Sequence, residues 1–140
     1  MIYKEEIKDI FTVSDDYYLT HCIASDLMMG AGIAVPMQNK FNIRYTILKN
    51  KYNTTHPCCI LTNRVFNLIT KRSSGGKPTY ESLKASLESL KDMMLAKGLS
   101  KIASPKIGCG IDGLDWNIVS EIIKNIFKDT DIEWLTCIWS

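Results

Sequence analysis

The chain has 140 residues, of which 46% are hydrophobic and 23% charged, and its formal net charge at pH 7 is +2. These values are ordinary for globular proteins, so the composition argues against a disordered chain or a fibrous repeat. A chain of this length is expected to form one domain over residues 1–140. So small a charge gives no indication of nucleic-acid binding, although a local basic rim is compatible with it.

The N-terminal segment and the cysteines bear on the compartment. Residues 1–8 contain acidic side chains and no apolar core, so no signal peptide is expected, and no apolar run approaches the roughly 20 residues of a membrane helix. The five cysteines are odd in number and form no C-x-x-C pair, which predicts neither a disulfide framework nor a zinc site. The sequence therefore predicts a cytoplasmic protein without a membrane partner, a metal or a cofactor.

Strand patterns recur along the whole chain. Residues 2–7 alternate weakly between apolar and polar side chains, and residues 17–23 are rich in aromatic and β-branched side chains. Two later runs, at 57–62 and 65–70, are joined through Asn63-Arg64 and predict a β-hairpin. Two further strands are expected at residues 101–104 and 131–139.

Two short helices are expected in the first half of the chain. Residues 28–35 begin as a small-residue loop and turn into helix-compatible sequence. Pro36 limits this helix to a short or kinked segment that ends near Phe41-Asn42. A second short helix is expected over residues 43–51.

Two longer amphipathic helices are expected in the second half. One follows a polar loop at residues 72–77 and runs from the candidate N-cap Thr79 to Gly98. The other begins at the candidate N-cap Asp115. Strands and helices therefore alternate, which is typical of an α/β fold in which helices cover a mixed sheet.

Residues 107–113 form a glycine-rich connection between a predicted strand and a predicted helix. Glycine lets the backbone approach a ligand, and successive N–H groups beside a helix N-terminus form a cradle for an anion. The spacing of Gly108, Gly110 and Gly113 matches the dinucleotide fingerprint, but only one strand follows, and the acidic residue expected about 20 positions later is missing. The segment is interpreted as an anion-binding loop or a simple turn, to which Asp112 adds a carboxylate.

Five strings of residues, in this order, resemble the macrodomain family, and within it the terminal ADP-ribose protein glycohydrolase branch. They lie at residues 21–26 (HCIASD), 29–35 (MGAGIAV), 68–71 (LITK), 77–81 (KPTYE) and 105–112 (PKIGCGID). The resemblance covers nearly the whole chain, including Asp9-Ile10-Phe11 near its start. It implies a three-layer α/β/α macrodomain-like sandwich with a mixed, mostly parallel central sheet of about six strands.

The resemblance also implies a site for ADP-ribose at the C-terminal ends of the strands. Asp9 is expected to bind the adenine amino group with Ile10 beside it. Residues 108–111 would hold the pyrophosphate through backbone N–H groups, and residues 30–33 would surround the pyrophosphate and the distal ribose. The full set of expected ligand contacts is Asp9, Ile10, Gly30, Ala31, Gly32, Ile33, Thr70, Ile107, Gly108, Cys109, Gly110 and Ile111.

In that branch a lysine at the position of Lys71 attacks the anomeric carbon of the distal ribose. An aspartate at the position of Asp112 then resolves the lysyl–ADP-ribose adduct. An amine is a nucleophile only when it is neutral, and a partly dry pocket favours the neutral form. The resemblance therefore predicts an ADP-ribosyl hydrolase that removes mono-ADP-ribose from acidic side chains, with Lys71 as nucleophile and Asp112 as general acid/base.

Two alternatives stay open at this point. The same site would serve another leaving group, in O-acetyl-ADP-ribose, in ADP-ribose-1″-phosphate or in ADP-ribose linked to a DNA base. A module that reads ADP-ribose without turnover would need the glycine loops but no nucleophile at Lys71. The expected partners are ADP-ribose and ADP-ribosylated protein, with ADP-ribosylated nucleic acid as an alternative, and the chain is expected to act as a monomer.

Two positions depart from the branch. Lys8 stands where a glycine usually precedes the first aspartate, and Ala24 stands where a serine is common. The hydroxyl that Ala24 lacks would be worth about 1 kcal/mol if it formed a hydrogen bond. His21 is expected to be a structural histidine, and Cys109 to contribute through its backbone.

Overall fold

A computed structural model describes residues 1–139 as six strands, four α-helices and a short 3-10 helix. The strands are β1 (Ile2–Ile7), β2 (Tyr18–Ala24), β3 (Cys58–Thr62), β4 (Val65–Lys71), β5 (Lys101–Ser104) and β6 (Glu133–Ile138). The α-helices are α1 (Ala34–Phe41), α2 (Ile43–Lys49), α3 (Tyr80–Lys97) and α4 (Trp116–Phe127), and the 3-10 helix is Ile10–Thr12. Strands and α-helices follow one another in the predicted order.

The strands form a single sheet in the order β1-β6-β5-β2-β4-β3. Every neighbouring pair is parallel except β3 and β4, which form the predicted antiparallel hairpin. Asn63 in the hairpin turn has a left-handed φ of 51°, a conformation that asparagine tolerates better than most residues. The prediction of a mixed, mostly parallel sheet of six strands is confirmed.

Each face of the sheet is covered by one pair of helices, because successive strand residues point to opposite faces. On one face, Ile69 of β4 belongs to the same core cluster as Met37 of α1. On the other face, Leu68 belongs to a cluster with Leu87 of α3 and Ile123 of α4. Helices α1 and α2 therefore form one outer layer and α3 and α4 the other, which confirms the three-layer α/β/α sandwich.

Both long helices begin at the caps that the sequence indicated, and α3 also ends at the predicted Gly98. The Thr79 hydroxyl accepts a hydrogen bond from the Ser82 N–H, and the Ser82 hydroxyl accepts one from the Thr79 N–H, which forms a capping box. Gly98 ends α3 in a left-handed conformation with a φ of 68°. The Asp115 carboxylate caps α4 by accepting a hydrogen bond from the Asn117 N–H at 2.8 Å. Within residues 1–139, no helix has the length and apolarity that a membrane crossing requires.

Pro36 and Asn42 determine the extent of the first short helix. Pro36 is the third residue of α1, in the first turn, where a missing N–H costs no helical hydrogen bond. Asn42 adopts a left-handed φ of 51° and separates α1 from α2. The helix therefore ends where the sequence predicted.

All five parallel strands end at the same edge of the sheet, because parallel neighbours run in one direction. The connections that leave this edge after β1, β2, β4 and β5 cover residues 8–17, 25–33, 72–79 and 105–115. Backbone that is not part of a helix or strand therefore collects at this edge, where ligands bind in open α/β sheets.

Candidate active site

A cavity of about 280 Å³ opens at the carboxyl edge of the parallel strands. We call it the central cavity. It is lined by two glycine-rich loops, residues 29–33 after β2 and residues 106–112 after β5, and by Lys71 at the end of β4. The two loops that the sequence places after separate strands therefore line the same cavity.

The 29–33 loop lines this cavity and contains backbone N–H groups without a backbone acceptor in the described chain. The N–H groups of Gly30, Ala31, Gly32 and Ile33 donate no hydrogen bond to the backbone of residues 1–139. Helix α1 begins directly after them, and its N-cap Ile33 makes no side-chain capping bond. Unpaired N–H groups at a helix N-terminus attract an anion, so this loop has the donors that an anion site requires.

The 106–112 loop, on the same cavity, also has backbone donors that are unpaired among the described residues. Gly108 has a left-handed φ of 73°, and a Cβ at this position would lie 3.1 Å from Leu114 Cδ1, so both backbone and space favour glycine. The Leu114 N–H donates to the Gly108 carbonyl at 2.9 Å and closes the loop. The N–H groups of Gly110, Ile111 and Asp112 have no acceptor in the backbone of the described residues. A negatively charged group between the two loops would meet donors from both.

Two thiols near the cavity are protonated at neutral pH. Burial raises the pKa of Cys109 to about 11, and its thiol donates to the Ile107 carbonyl at 3.2 Å. Cys22 lines the cavity, and burial raises the pKa of its thiol even further above the usual range. A thiol is a weak nucleophile unless it is ionised, so the geometry fits a backbone contribution from Cys109.

Lys71 and Asp112 form an ion pair at the wall of the central cavity. The Lys71 Nζ lies 2.8 Å from Asp112 Oδ1, and the two side chains are only 11% and 14% exposed. The same Nζ also donates to the Ser74 carbonyl at 3.3 Å. Shielding from water strengthens the attraction between the charges, so amine and carboxylate are held within proton-transfer distance.

The 72–77 segment is fastened beside this pair. The Asp26 carboxylate accepts hydrogen bonds from the Ser74 N–H and hydroxyl, each at 2.8 Å. The backbone hydrogen bond from Ser74 is the main reason that the pKa of Asp26 lies below its usual value. At the other end of the segment, the Lys77 Nζ donates to the Ile111 carbonyl at 2.6 Å. The segment therefore connects the end of β2 with the 106–112 loop.

A second cavity, of about 380 Å³, adjoins the central cavity and is lined by Asp9 and Ile10. The Asp9 carboxylate caps the 3-10 helix by accepting a hydrogen bond from the Phe11 N–H at 3.0 Å. Lys8 is not among the residues with a positive φ, so its backbone does not require glycine, and its N–H donates to the Ile138 carbonyl at 3.1 Å. The second and central cavities share Gly32, Ile33, Pro105 and Lys106 in their walls.

The structure brings together all but one of the residues that the sequence assigned to the site. The exception is Thr70, which is buried and lines a third cavity, of about 250 Å³, that shares Lys71 with the central cavity. The Thr70 side chain follows Leu68 on the face of the sheet that α3 and α4 cover, because strand residues alternate. Thr70 therefore lines neither the central cavity nor the second cavity.

Sequence reasoning also missed part of the walls. Pro105 and Lys106 stand in the string that carried the resemblance, and including them in the loop would have found them. Trp139 lines the second cavity and is 67% exposed. The only feature of the sequence that could have indicated Trp139 is its position as an aromatic residue directly after the last strand. Ala24 lies in the wall of the central cavity, so the hydroxyl it lacks is missing from that cavity.

The fold has counterparts among solved structures. The macrodomain of Mycobacterium tuberculosis DarG superposes on this chain with a TM-score of 0.85 and 18% sequence identity, over 99% of this chain and 97% of that one. Sequence identity this low supports the fold alone. The three-layer sandwich is thus the macrodomain fold, as the sequence predicted.

Sequence comparison identifies the family. A model described as Macro domain matches residues 21–123. ADP-ribose glycohydrolase OARD1 of Homo sapiens is 38% identical over 127 residues, which cover 89% of this chain and 84% of the human protein. The Bos taurus protein of the same name is 39% identical over 126 residues, covering 89% and 83% of the two chains. The chain belongs to the macrodomain family, and the two relatives confirm the resemblance to its terminal ADP-ribose protein glycohydrolase branch.

Proposed function

We propose that this chain is an ADP-ribosyl hydrolase that releases mono-ADP-ribose from acidic side chains of proteins. The observation that carries the proposal is the 2.8 Å contact between Lys71 Nζ and Asp112 Oδ1 at the wall of a cavity that two glycine-rich loops line. Relatives at 38–39% identity bear the name ADP-ribose glycohydrolase, and this chain is a hydrolase of that class. A module that only read ADP-ribose would need the loops but not a shielded amine beside them.

In this proposal ADP-ribose spans the second and central cavities. The adenine occupies the second cavity. Asp9 Oδ1 already accepts a hydrogen bond from the Phe11 N–H, and Asp9 Oδ2 accepts one from the adenine amino group. The pyrophosphate lies between the 29–33 and 106–112 loops, whose N–H groups neutralise its charge. The distal ribose then reaches the Lys71 and Asp112 pair.

The contact between Lys71 and Asp112 supports a double-displacement mechanism. The Lys71 ammonium gives a proton to Asp112, and the neutral amine attacks C1″ of the distal ribose. The bond from C1″ to the ester oxygen breaks, the oxygen keeps the bonding pair, and Asp112 passes its proton to the departing carboxylate. Asp112 then takes a proton from a water molecule that attacks C1″. The bond to Lys71 breaks, and Asp112 returns the proton to the released amine.

Substitution of the two residues tests this mechanism. Lys71→Ala should abolish release of glutamate-linked ADP-ribose while leaving ADP-ribose binding nearly intact, because binding depends on the loops. Asp112→Ala should slow turnover by about 10²- to 10⁴-fold. It should also accumulate an adduct on Lys71 that is about 541 Da heavier by intact mass, the mass of ADP-ribose less water. Initial rates and mass spectrometry provide the measurements.

Lys84→Ala, an exposed lysine of α3 outside the three cavities, is the matched control and should behave like wild type. Undiminished turnover by Lys71→Ala would rule out the lysine mechanism. Parallel assays with O-acetyl-ADP-ribose, ADP-ribose-1″-phosphate and DNA-linked ADP-ribose identify the preferred leaving group. If one of these substrates is turned over faster than glutamate-linked ADP-ribose, its leaving group is the preferred one. The proposed roles of Lys71 and Asp112 would not change.

A further inference from the structure

The three cavities form a series in which neighbours share residues. Gly32 and Ile33 line both the second and the central cavity, and Lys71 lines both the central and the third cavity. If ADP-ribose fills the first two with C1″ at Lys71, the group attached to C1″ lies on the side of the third cavity. The third cavity is therefore placed to receive what is joined to ADP-ribose in the substrate.

The side chains around the third cavity are basic or carry hydroxyl groups. Arg72, Lys77 and His56 line it, together with Thr79 and Ser82 from the start of α3. No Asp or Glu of residues 1–139 contributes to its wall. Neither Arg72 nor Lys77 forms a salt bridge within residues 1–139, so these two cations create a positive potential and the ligand that suits this cavity is an anion.

Arg72 is the side chain of this cavity that is most open to a new partner. It is exposed, and none of the salt bridges within residues 1–139 includes it. Lys77 and Lys71 already donate to Ile111 and Asp112, respectively. A guanidinium presents two parallel N–H donors that match the two oxygens of a carboxylate. Arg72 is therefore the side chain of this cavity that would bind a carboxylate most strongly.

We propose that the third cavity binds a carboxylate of the target protein, on a residue next to the modified acidic side chain. This inference rests on the proposed function, which places C1″ at Lys71. A nucleic acid would present a row of phosphates and would need a continuous basic track. The basic side chains that line this cavity come only from residues 71–77 and His56, and the chain carries a net charge of only +2. A single carboxylate of an acidic peptide has the charge and the size that suit the third cavity.

Binding of two synthetic peptides tests this inference. Both carry ADP-ribose through a triazole linkage that cannot be hydrolysed, and they differ only in having glutamate or glutamine on either side of the modified residue. Wild type should bind the glutamate peptide about tenfold more tightly, and Arg72→Gln should reduce the preference to about twofold by removing one charge-assisted contact. Salt at about 0.5 M should reduce it in the same way. Isothermal titration calorimetry gives the dissociation constants.

Lys84→Gln is the matched control, because it removes one positive charge outside the cavity, and it should keep the full preference. Equal affinity of wild type for both peptides would overturn the inference. An equal loss of affinity for both peptides in Arg72→Gln would also overturn it, because that result indicates a structural role. An oligonucleotide with the same linkage that binds more tightly than the glutamate peptide, and loses this advantage in Arg72→Gln, would assign the cavity to a phosphate instead.

The binding test does not depend on turnover, so its failure is distinguishable from failure of the proposed function. Hydrolysis of the corresponding ester peptides by wild type but not by Lys71→Ala, without any preference for glutamate neighbours, would leave the hydrolase standing and remove this inference. A preference for glutamate neighbours with undiminished hydrolysis by Lys71→Ala would keep this inference and rule out the lysine mechanism of the proposed function.

Discussion

His21 is a buried titratable residue whose contacts determine its protonation. It has no exposed surface, and its Nε2 lies 2.7 Å from Asn67 Oδ1. The Asn67 amide nitrogen donates to the Ile60 carbonyl and the Thr62 hydroxyl, so Oδ1 faces the imidazole and Nε2 must carry the proton. Nδ1 has no partner among the described residues. Burial lowers the pKa of His21 to about 4. A structural role was expected, but only one ring nitrogen is satisfied.

This shift predicts a loss of stability on mild acidification. The pKa of His21 falls from the ordinary 6.5 to about 4 in the folded chain, so between these values the unfolded chain binds more protons. The free energy of unfolding should therefore fall as the pH drops below 6.5, by about 2 kcal/mol at pH 5. His21→Gln should remove this dependence. Urea unfolding between about pH 5 and 6.5 measures it, in the range where most carboxylates stay ionised.

His56→Gln is the control, because it removes the other histidine of the chain, which is half-buried, and it should keep the wild-type pH dependence. A wild-type free energy of unfolding that stays constant over this pH range would contradict the prediction. The comparison of slopes is independent of any general destabilisation that the His21 substitution causes.

The 72–77 segment is the element that positions the reactive pair from outside the sheet. Asp26, just after β2, holds Ser74 through two hydrogen bonds, and the Ser74 carbonyl in turn accepts from the Lys71 amine. Composition indicated only a flexible polar loop. These contacts were not predictable, because they join side chains from two connections that are 48 positions apart in the chain.

Loss of the Asp26 carboxylate should loosen this segment. Asp26→Ala removes both acceptors of Ser74, and each lost hydrogen bond is worth about 1 kcal/mol, so amide exchange at Ser74 should speed up by roughly 30-fold. Turnover should fall while ADP-ribose affinity changes little, because Asp26 does not line the two cavities proposed to hold ADP-ribose. Hydrogen exchange with mass spectrometry and initial rates give the two readouts.

Asp92→Ala serves for comparison, since Asp92 is an exposed carboxylate on α3 and lies outside the three cavities. It should leave both readouts unchanged. Ser74 amide exchange that is the same in Asp26→Ala and in wild type would show that the segment is held by other contacts.

At the scale of the molecule, sheet order builds the proposed adenine end of the cleft from the two ends of the described chain. β1 pairs with β6 in parallel, which brings Asp9 and Trp139 into the wall of one cavity. Gly32 and Ile33, in the connection from β2 to α1, also line this cavity. Ligand bound here would tie together segments that are distant in sequence, so it should stabilise the fold as a whole.

ADP-ribose should therefore raise the melting temperature of the chain. At a free concentration of 100 times the dissociation constant, linkage predicts about 2.7 kcal/mol, or roughly 8 °C for a domain of this size. Lys71→Ala should retain most of the shift. Asp9→Ala should show a much smaller one at the same concentration, because the adenine loses its proposed acceptor. Differential scanning calorimetry, with each variant compared to its own ligand-free state, measures the shifts.

Asp131→Ala provides the control, because Asp131 is an exposed carboxylate before β6 that lines none of the three cavities. It should respond to ADP-ribose like wild type. A full thermal shift in Asp9→Ala would exclude Asp9 as the adenine contact, whatever the outcome for Lys71.

The sequence alone was sufficient where a few neighbouring residues decide the structure. Thr79 and Asp115 cap helices whose N–H donors lie two or three positions away, and Pro36 and Asn42 limit a helix through their own backbone preferences. Alternating apolar residues indicated the strands, and the strings that resemble a family indicated Lys71 and Asp112 without any knowledge of distance.

Tertiary structure alone decided what depends on which strands are neighbours. The pairing of β1 with β6 brings Asp9 beside Trp139, and the parallel ends of β4 and β5 bring Lys71 within 2.8 Å of Asp112. Thr70 lines the third cavity and not the main cleft, because its side chain lies on the face of the sheet that α3 and α4 cover. Side-chain periodicity specifies which face of a strand is buried, but the order of strands results from packing the whole chain.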